Sequence, residues 1–82
     1  MEATATELRN LVAERFDVPL ERIRLESDLV DDFGATSLDV VDLVLAIEDR
    51  LGIVIDDSEA EVIRTFGDAV ALVDAKRRVL AH

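Results

Sequence analysis

The sequence contains no cysteine, tryptophan or tyrosine, and has one proline and one histidine in 82 residues. Without cysteine there is no disulfide framework, no thiolate nucleophile and no Cys-based metal site. The single histidine is His82, the last residue, so a histidine-assisted serine would have to be built on a terminus prone to fraying. On this inventory the chain is not expected to be an enzyme. No apolar run approaches a membrane span and the first residues lack a signal-peptide pattern, so a cytoplasmic protein is expected. With three glycines and one proline, helix breakers are sparse as well.

Basic residues are scarce in one region only. From Glu26 to Glu61 there are 12 acidic residues and one basic residue, Arg50, a local balance of −11; the remainder carries +1, and the whole chain −10. Phosphate recognition needs the opposite sign, so nucleic acid is excluded as a partner. Lys76-Arg77-Arg78 is too short to reverse that, and it suits the C-terminal end of a helix dipole. A concentrated acidic face steers basic surfaces toward it, although solubility alone would also explain one.

Half of the residues are apolar, which separates the chain from disordered tails. Residues 1–82 are expected to form a single domain burying roughly 60% of its unfolded surface. Thr4-Ala5-Thr6-Glu7 reads as a capping box opening a first helix, with Leu8, Leu11, Val12 and Phe16 at helical spacing and Asp17-Val18-Pro19 ending it. A long loop follows to Ala35, with a short turn at Pro19–Arg22 and with Ile23, Leu25, Leu29 and Phe33 pinning it to the core. After Gly52, Ile53-Val54-Ile55 has no second strand to pair with and reads as buried loop. Asp56-Asp57-Ser58-Glu59 caps a short helix through about Ile63, and Thr65 caps another whose Phe66, Ala69, Val70 and Val73 face inward. The fold class expected is all-α, a small four-helix bundle of three main helices and one short helix with a long first loop.

The segment from Ser37 to Leu51 has no Gly or Pro, and Gly52 stands as its stop. At about 100° per residue, Val40, Leu43, Val44, Ile47 and Leu51 share a core face. Leu38, Val41 and Leu45 lie roughly opposite, flanked by Asp42, Glu48 and Asp49. A helix that only supported a core would not need this second apolar stripe, so a partner surface is expected there. Thr36 is the expected N-cap, and Thr36-Ser37-Leu38-Asp39 approximates a capping box with Asp for the preferred Glu or Gln. Ser37 then sits beside free N–H groups at the positive end of the dipole, where a phosphate is welcome. Ser and Thr are common at helix starts for local reasons, so this feature alone decides nothing.

Asp31-Asp32-Phe33-Gly34-Ala35-Thr36-Ser37-Leu38-Asp39-Val40-Val41-Asp42-Leu43 resembles the prosthetic-group segment of acyl carrier proteins, acidic-x-Leu/Phe-Gly-x-Asp-Ser-Leu followed by an acidic-apolar helix. The resemblance continues through Leu45–Asp49, Ile53–Ile55, Glu59–Glu61 and Thr65–Ala69, nearly the whole chain. It implies that Ser37 accepts a covalent 4'-phosphopantetheine from coenzyme A through a separate phosphopantetheinyl transferase. The arm's thiol then carries acyl groups as thioesters, supplying the sulfur the chain lacks, for fatty-acid, polyketide or related enzymes. Leu38, Asp39, Val41, Asp42, Leu45, Glu48 and Asp49 would dock acyl-transferring or acyl-modifying enzymes with basic surfaces. Val40, Val44, Ile55, Ala60 and Ile63 would line a space for the acyl chain, each being equally at home in an ordinary core. The chain would act as a monomer. One departure stands out: Thr36 occupies the position of the family's usual Asp, which helps engage the transferase and its metal-bound coenzyme A.

No metal ligands are expected. An EF-hand starting at Asp28 needs an oxygen ligand at position 30 and glycine at 33, where the sequence has Val30 and Phe33. Two alternatives stay open, a carrier of aminoacyl or other activated acids, and an acidic helical interaction module that takes no prosthetic group.

Overall fold

The computed structural model describes residues 2–80; His82, the sole histidine, lies outside them. Four α-helices follow one another: α1 (Glu2–Phe16), α2 (Ser37–Leu51), α3 (Asp57–Glu61) and α4 (Phe66–Leu80), with one 3-10 turn at Leu20–Arg22. The fold is all-helical, with three main helices, one short helix and a long first loop, as the sequence implies. No helix among the described residues is long and apolar enough to cross a membrane.

The apolar periodicities converge on one core. Leu8, Leu11 and Val12 of α1 meet Leu43, Val44 and Ile47 of α2 and Phe66, Ala69, Val70 and Val73 of α4, all buried. The first loop contributes Ile23 and Leu29, and the α2–α3 connection contributes Ile53 and Ile55. Phe33 is half-buried and stacks on Phe16 with ring centroids 6.3 Å apart. Arg9 lays its guanidinium 5.5 Å over the Phe66 ring and donates through Nε to Ile23 O at 3.1 Å, tying α1, the loop and α4 together.

Three expectations are corrected. The first helix does not open at Thr4: it begins at Glu2, and Thr4 is buried inside it. Its hydroxyl donates to Asp74 Oδ1 and accepts from Arg77 Nη1, each at 3.4 Å, so it bonds across to α4 instead of capping α1. Leu25 is half exposed, because the loop holds that residue through its carbonyl and leaves the side chain outside. Val54 is also exposed, since Ile53 and Ile55 on either side of it take the inward positions.

The first loop is stitched to the start of α4 by main-chain bonds. Leu29 N–H donates to Arg64 O at 3.0 Å, Phe66 N–H to Ser27 O and Gly67 N–H to Leu25 O, each at 2.8 Å. Asp28 and Thr65 form an isolated antiparallel bridge at this joint. The stitching matters to α2, because it fixes the loop from which α2 emerges.

Candidate functional site

The loop returns to the surface in a few residues before α2. Buried Leu29 accepts the Ala35 N–H at 3.0 Å, Val30 O accepts the Gly34 N–H at 2.9 Å, and Gly34 takes a left-handed φ of 69° that an L-residue adopts only under strain. Ala35 is buried, so Thr36 is the first residue out. Thr36 is extended (φ −89°, ψ 172°) and caps the helix. Its Oγ1 accepts the Asp39 N–H at 3.2 Å while its own N–H donates to Asp39 Oδ2 at 2.9 Å. The reciprocal box uses Thr36 and Asp39 and leaves Ser37 out. Ser37 is the first helical residue and is exposed, and its hydroxyl makes no hydrogen bond among the described residues. A 15-residue helix whose first-turn N–H groups are not all consumed by its cap presents its positive end at that hydroxyl.

The far end of α2 is equally defined. Gly52 has a φ of 66° and donates its N–H to Glu48 O at 2.9 Å. Glu48 also has a role the sequence does not disclose: its Oε2 accepts the Ile55 N–H at 2.8 Å across seven residues, bracing the connection to α3. Its side chain is half-buried, and Asp39 is half-buried in the capping box. The other residues of the second stripe face solvent: Leu38 at 69% exposure, Val41 at 51% and Leu45 at 57%, with Asp42 and Asp49 exposed beside them. Three outward apolar side chains on one helix form a contiguous patch rimmed by acids, beginning at Ser37.

A groove of about 490 Å³ opens beside Ser37. One wall is α2, through Ser37, Val40 and Val41; the other is α3, through Asp57, Ala60 and Glu61; Val30 and Ile63 complete it. Of the residues considered as an acyl-chain lining, Val40, Ala60 and Ile63 meet here. Val44 and Ile55 are buried in the core and do not line the groove. Val30 and Glu61 do line it, and no periodicity in the sequence marks either. A second groove, about 440 Å³, runs past α3 between Gly52–Val54 and the Leu72, Ala75 and Lys76 side of α4. Glu59 of α3 borders it and pairs with Lys76 at 2.7 Å.

Two of the acidic residues before Ser37, Asp28 and Asp32, are internally engaged. Asp28 Oδ1 accepts the Val30 and Asp31 N–H groups at 2.9 and 2.8 Å, its Oδ2 accepts Arg64 Nε at 2.8 Å, and Asp32 Oδ2 accepts the Asp28 N–H at 2.7 Å. The Asp31 N–H, and after it the Arg64 guanidinium, hold the Asp28 carboxyl below its ordinary range. Lys76, and after it the Asp56 N–H, do the same for Glu59. An unspent hydroxyl at a helix N-terminus, an apolar patch along that helix and a groove beside it can accept a phosphate-linked group, dock a protein and shelter a short apolar chain.

Known proteins converge on the same arrangement. The sequence pattern of the phosphopantetheine attachment site family matches residues 6–73. The chain is 42% identical over 71 residues to the acyl carrier protein of Wolinella succinogenes, covering 87% of this chain and 93% of that protein. Its fold is similar to that of the acyl carrier protein from Enterococcus faecalis, with a TM-score of 0.78 and 29% identity over 92% of this chain and 95% of the other. It is also similar to a protein from Mycobacterium tuberculosis provisionally assigned as an acyl carrier protein, with a TM-score of 0.83 and 26% identity over 88% and 96% of the two chains.

Proposed function

Because this chain belongs to the phosphopantetheine attachment site family and is an acyl carrier protein, we propose that Ser37 is where its prosthetic arm is attached. Proteins of this family carry acyl groups rather than transform them, on a covalent 4'-phosphopantetheine, and they work with a phosphopantetheinyl transferase and acyl-handling enzymes. The arm supplies a terminal thiol for thioester formation, the chemistry this cysteine-free chain lacks.

The observation that carries the assignment is the division of labour at the start of α2. Thr36 and Asp39 make the cap, and the adjacent Ser37 hydroxyl is exposed and uncommitted. A phosphodiester on Ser37 would lie against the positive end of α2, where an anion is stabilised. The patch of Leu38, Val41 and Leu45, with Asp42 and Asp49, orients the partner that must reach Ser37. The groove of Val30, Val40, Ala60 and Ile63 takes apolar cargo out of water, at about 25 cal/mol per Å² of buried apolar surface. The chain acts as a carrier, performing no chemistry of its own, as one cytoplasmic, monomeric domain spanning residues 1–82.

Coexpression with a phosphopantetheinyl transferase, read by intact mass, tests the assignment. Wild type gains the mass of one arm and Ser37→Ala gains none; an arm of equal yield on the Ala variant removes Ser37 from the role. Thr36 keeps the cap of the family's usual Asp but not its charge, a loss of about 0.3–1 kcal/mol of dipole interaction. Thr36→Asp is therefore expected to load faster with a fatty-acid-type transferase, and equal initial rates would show that the charge is dispensable.

A further inference from the structure

We infer that Glu48 is a positioning residue for the groove beside Ser37: its carboxylate holds the chain after Gly52 and thereby fixes where α3 stands. The inference rests on the reading of Ser37 as the attachment point and of the groove as the place for apolar cargo. It adds the residue that keeps one wall of that groove in position.

α3 needs such support. It has five residues, none of them buried, and its one apolar residue, Ala60, is only partly covered by the core. A helix this short has little stability of its own, so its place is set by the chain on either side. Behind it Ile63 enters the core; ahead of it Ile53 and Ile55 do. Yet among the described residues no main-chain donor or acceptor pairs with the main chain of Ile53, Val54 or Ile55. The Asp56 N–H is taken by Glu59, within the same segment, at 3.0 Å.

Glu48 supplies what the main chain does not. Its carbonyl oxygen accepts the Gly52 N–H at 2.9 Å and its Oε2 accepts the Ile55 N–H at 2.8 Å, so one residue of α2 holds both ends of the span 52–55. Ile55 is buried and its N–H has little water to turn to, and a bond to a carboxylate is the stronger kind. The other tie, Lys76 on Glu59 at 2.7 Å, is an ion pair between partly exposed side chains, a contact of smaller worth. From Ile55 the chain runs through Asp56 directly into α3, whose Asp57, Ala60 and Glu61 line the groove opposite Ser37 and Val40. Asp42 and Asp49 differ from Glu48 on the same helix: both are exposed and make no hydrogen bond or ion pair among the described residues. The acids of α2 thus divide into outward ones that meet partners and one turned toward the α3 connection that shapes the cargo space.

The experiment compares wild type with Glu48→Ala, which removes the acceptor, and Glu48→Gln, which keeps a side-chain oxygen and loses only the charge. Amide hydrogen exchange is read first, on the protein without its arm. Glu48→Ala should speed exchange at Ile55 about tenfold or more, the loss of one hydrogen bond to a charged group, with a smaller change at Leu43 in the core. Glu48→Gln should keep most of the protection. An Ile55 amide already unprotected in wild type overturns the inference, and so does equal acceleration at Leu43 and Ile55. Cleavage by hydroxylamine of a saturated medium-chain acyl thioester carried on the Ser37 arm is read second. Glu48→Ala should be cleaved severalfold faster than wild type and Glu48→Gln at nearly the wild-type rate, while an acetyl thioester, too short to enter the groove, should be cleaved alike in all three. Equal medium-chain rates in all three proteins overturn the inference. Equal gains in the Ala and Gln variants also overturn it, because they trace the effect to the charge and not to the bond. If wild type shelters the medium chain no better than acetyl, the cargo reading of the groove falls. If Ser37 is not loaded at all, the carrier reading falls, while the exchange rates still decide whether Glu48 holds the connection.

Discussion

Two helices of this protein begin with the same four-residue device and come to opposite ends. At α2, Thr36 and Asp39 exchange hydrogen bonds of 3.2 and 2.9 Å; at α4, Thr65 and Asp68 exchange bonds of 3.1 and 3.0 Å. The residue after the threonine is Ser37 in one case and Phe66 in the other. Phe66 has no exposed surface, and its N–H and that of Gly67 are taken by carbonyls of the first loop. Ser37 is exposed and receives no such cover. The cap motif therefore makes a helix start in both places but a site in only one. What distinguishes the site is the neighbouring chain, which covers one helix end and leaves the other in solvent.

The sharpest way to break the comparison is to truncate the residue after each threonine. Phe66→Ala removes a fully buried ring and should cost about 3–5 kcal/mol in urea unfolding. Ser37→Ala should stay within about 0.5 kcal/mol of wild type, as expected of an exposed side chain without partners. Equal losses would mean that the two helix starts are structurally equivalent after all.

A smaller contrast lies one residue further on. Glycine inside a helix ordinarily gains roughly 0.5–1 kcal/mol on replacement by alanine, but a Cβ at Gly67 would stand 2.8 Å from the Leu25 carbonyl oxygen, a main-chain atom. Gly67→Ala should therefore destabilise, by about 1–3 kcal/mol on the scale of overpacking, whereas Leu38→Ala should leave the melting temperature nearly unchanged and weaken transferase binding instead. A Gly67→Ala protein as stable as wild type would show that the loop yields easily, and that the cover over α4 is loose.

The mildest effect is on acid stability. The Thr65 N–H, more than any other group, holds the Asp68 carboxyl below its ordinary value of 3.8. A carboxyl lowered in the fold stabilises it fully above that ordinary value, and the contribution is lost as pH falls through the lowered one. Asp68→Asn should flatten the acid limb of the stability curve below about pH 4 and leave its shape at neutral pH unchanged. An acid limb identical in both proteins would remove Asp68 from it.

How far these features were legible follows from whether each is local. The Thr36-x-x-Asp39 box, Thr65 as the cap of α4, Gly52 as the stop of α2 and the two faces of that helix are decided within a few residues, and the structure places them as the sequence implies; the return bond to Asp68 is read only from the structure. The box at Thr4 has similar local chemistry but fails, because a hydroxyl facing α4 finds Asp74 and Arg77 and the helix runs on to Glu2. Glu48 shows the same limit: its position on α2 suggested docking, while its bond to Ile55 N–H depends on how the connection after Gly52 folds back. Val30 and Glu61, which help line the groove, are brought there by a loop and a five-residue helix, and neither element has a periodicity to read. The fold was legible wherever one helix face or cap decided it. The groove was not, because it is made by segments that meet only in three dimensions.

The short third helix has a consequence for how such a protein can change over time. None of the residues of α3 is buried, yet α3 borders both grooves. The volume beside Ser37 is thus shaped in part by exposed residues of this segment, and substitutions at Asp57 or Glu61 reshape that volume without passing through the core that Ile63, Val40 and Ala60 pack into. At those two positions fit to a ligand and resistance to unfolding are separate heritable traits. A lineage can retune the first by drift on one surface helix while the second stays where it was.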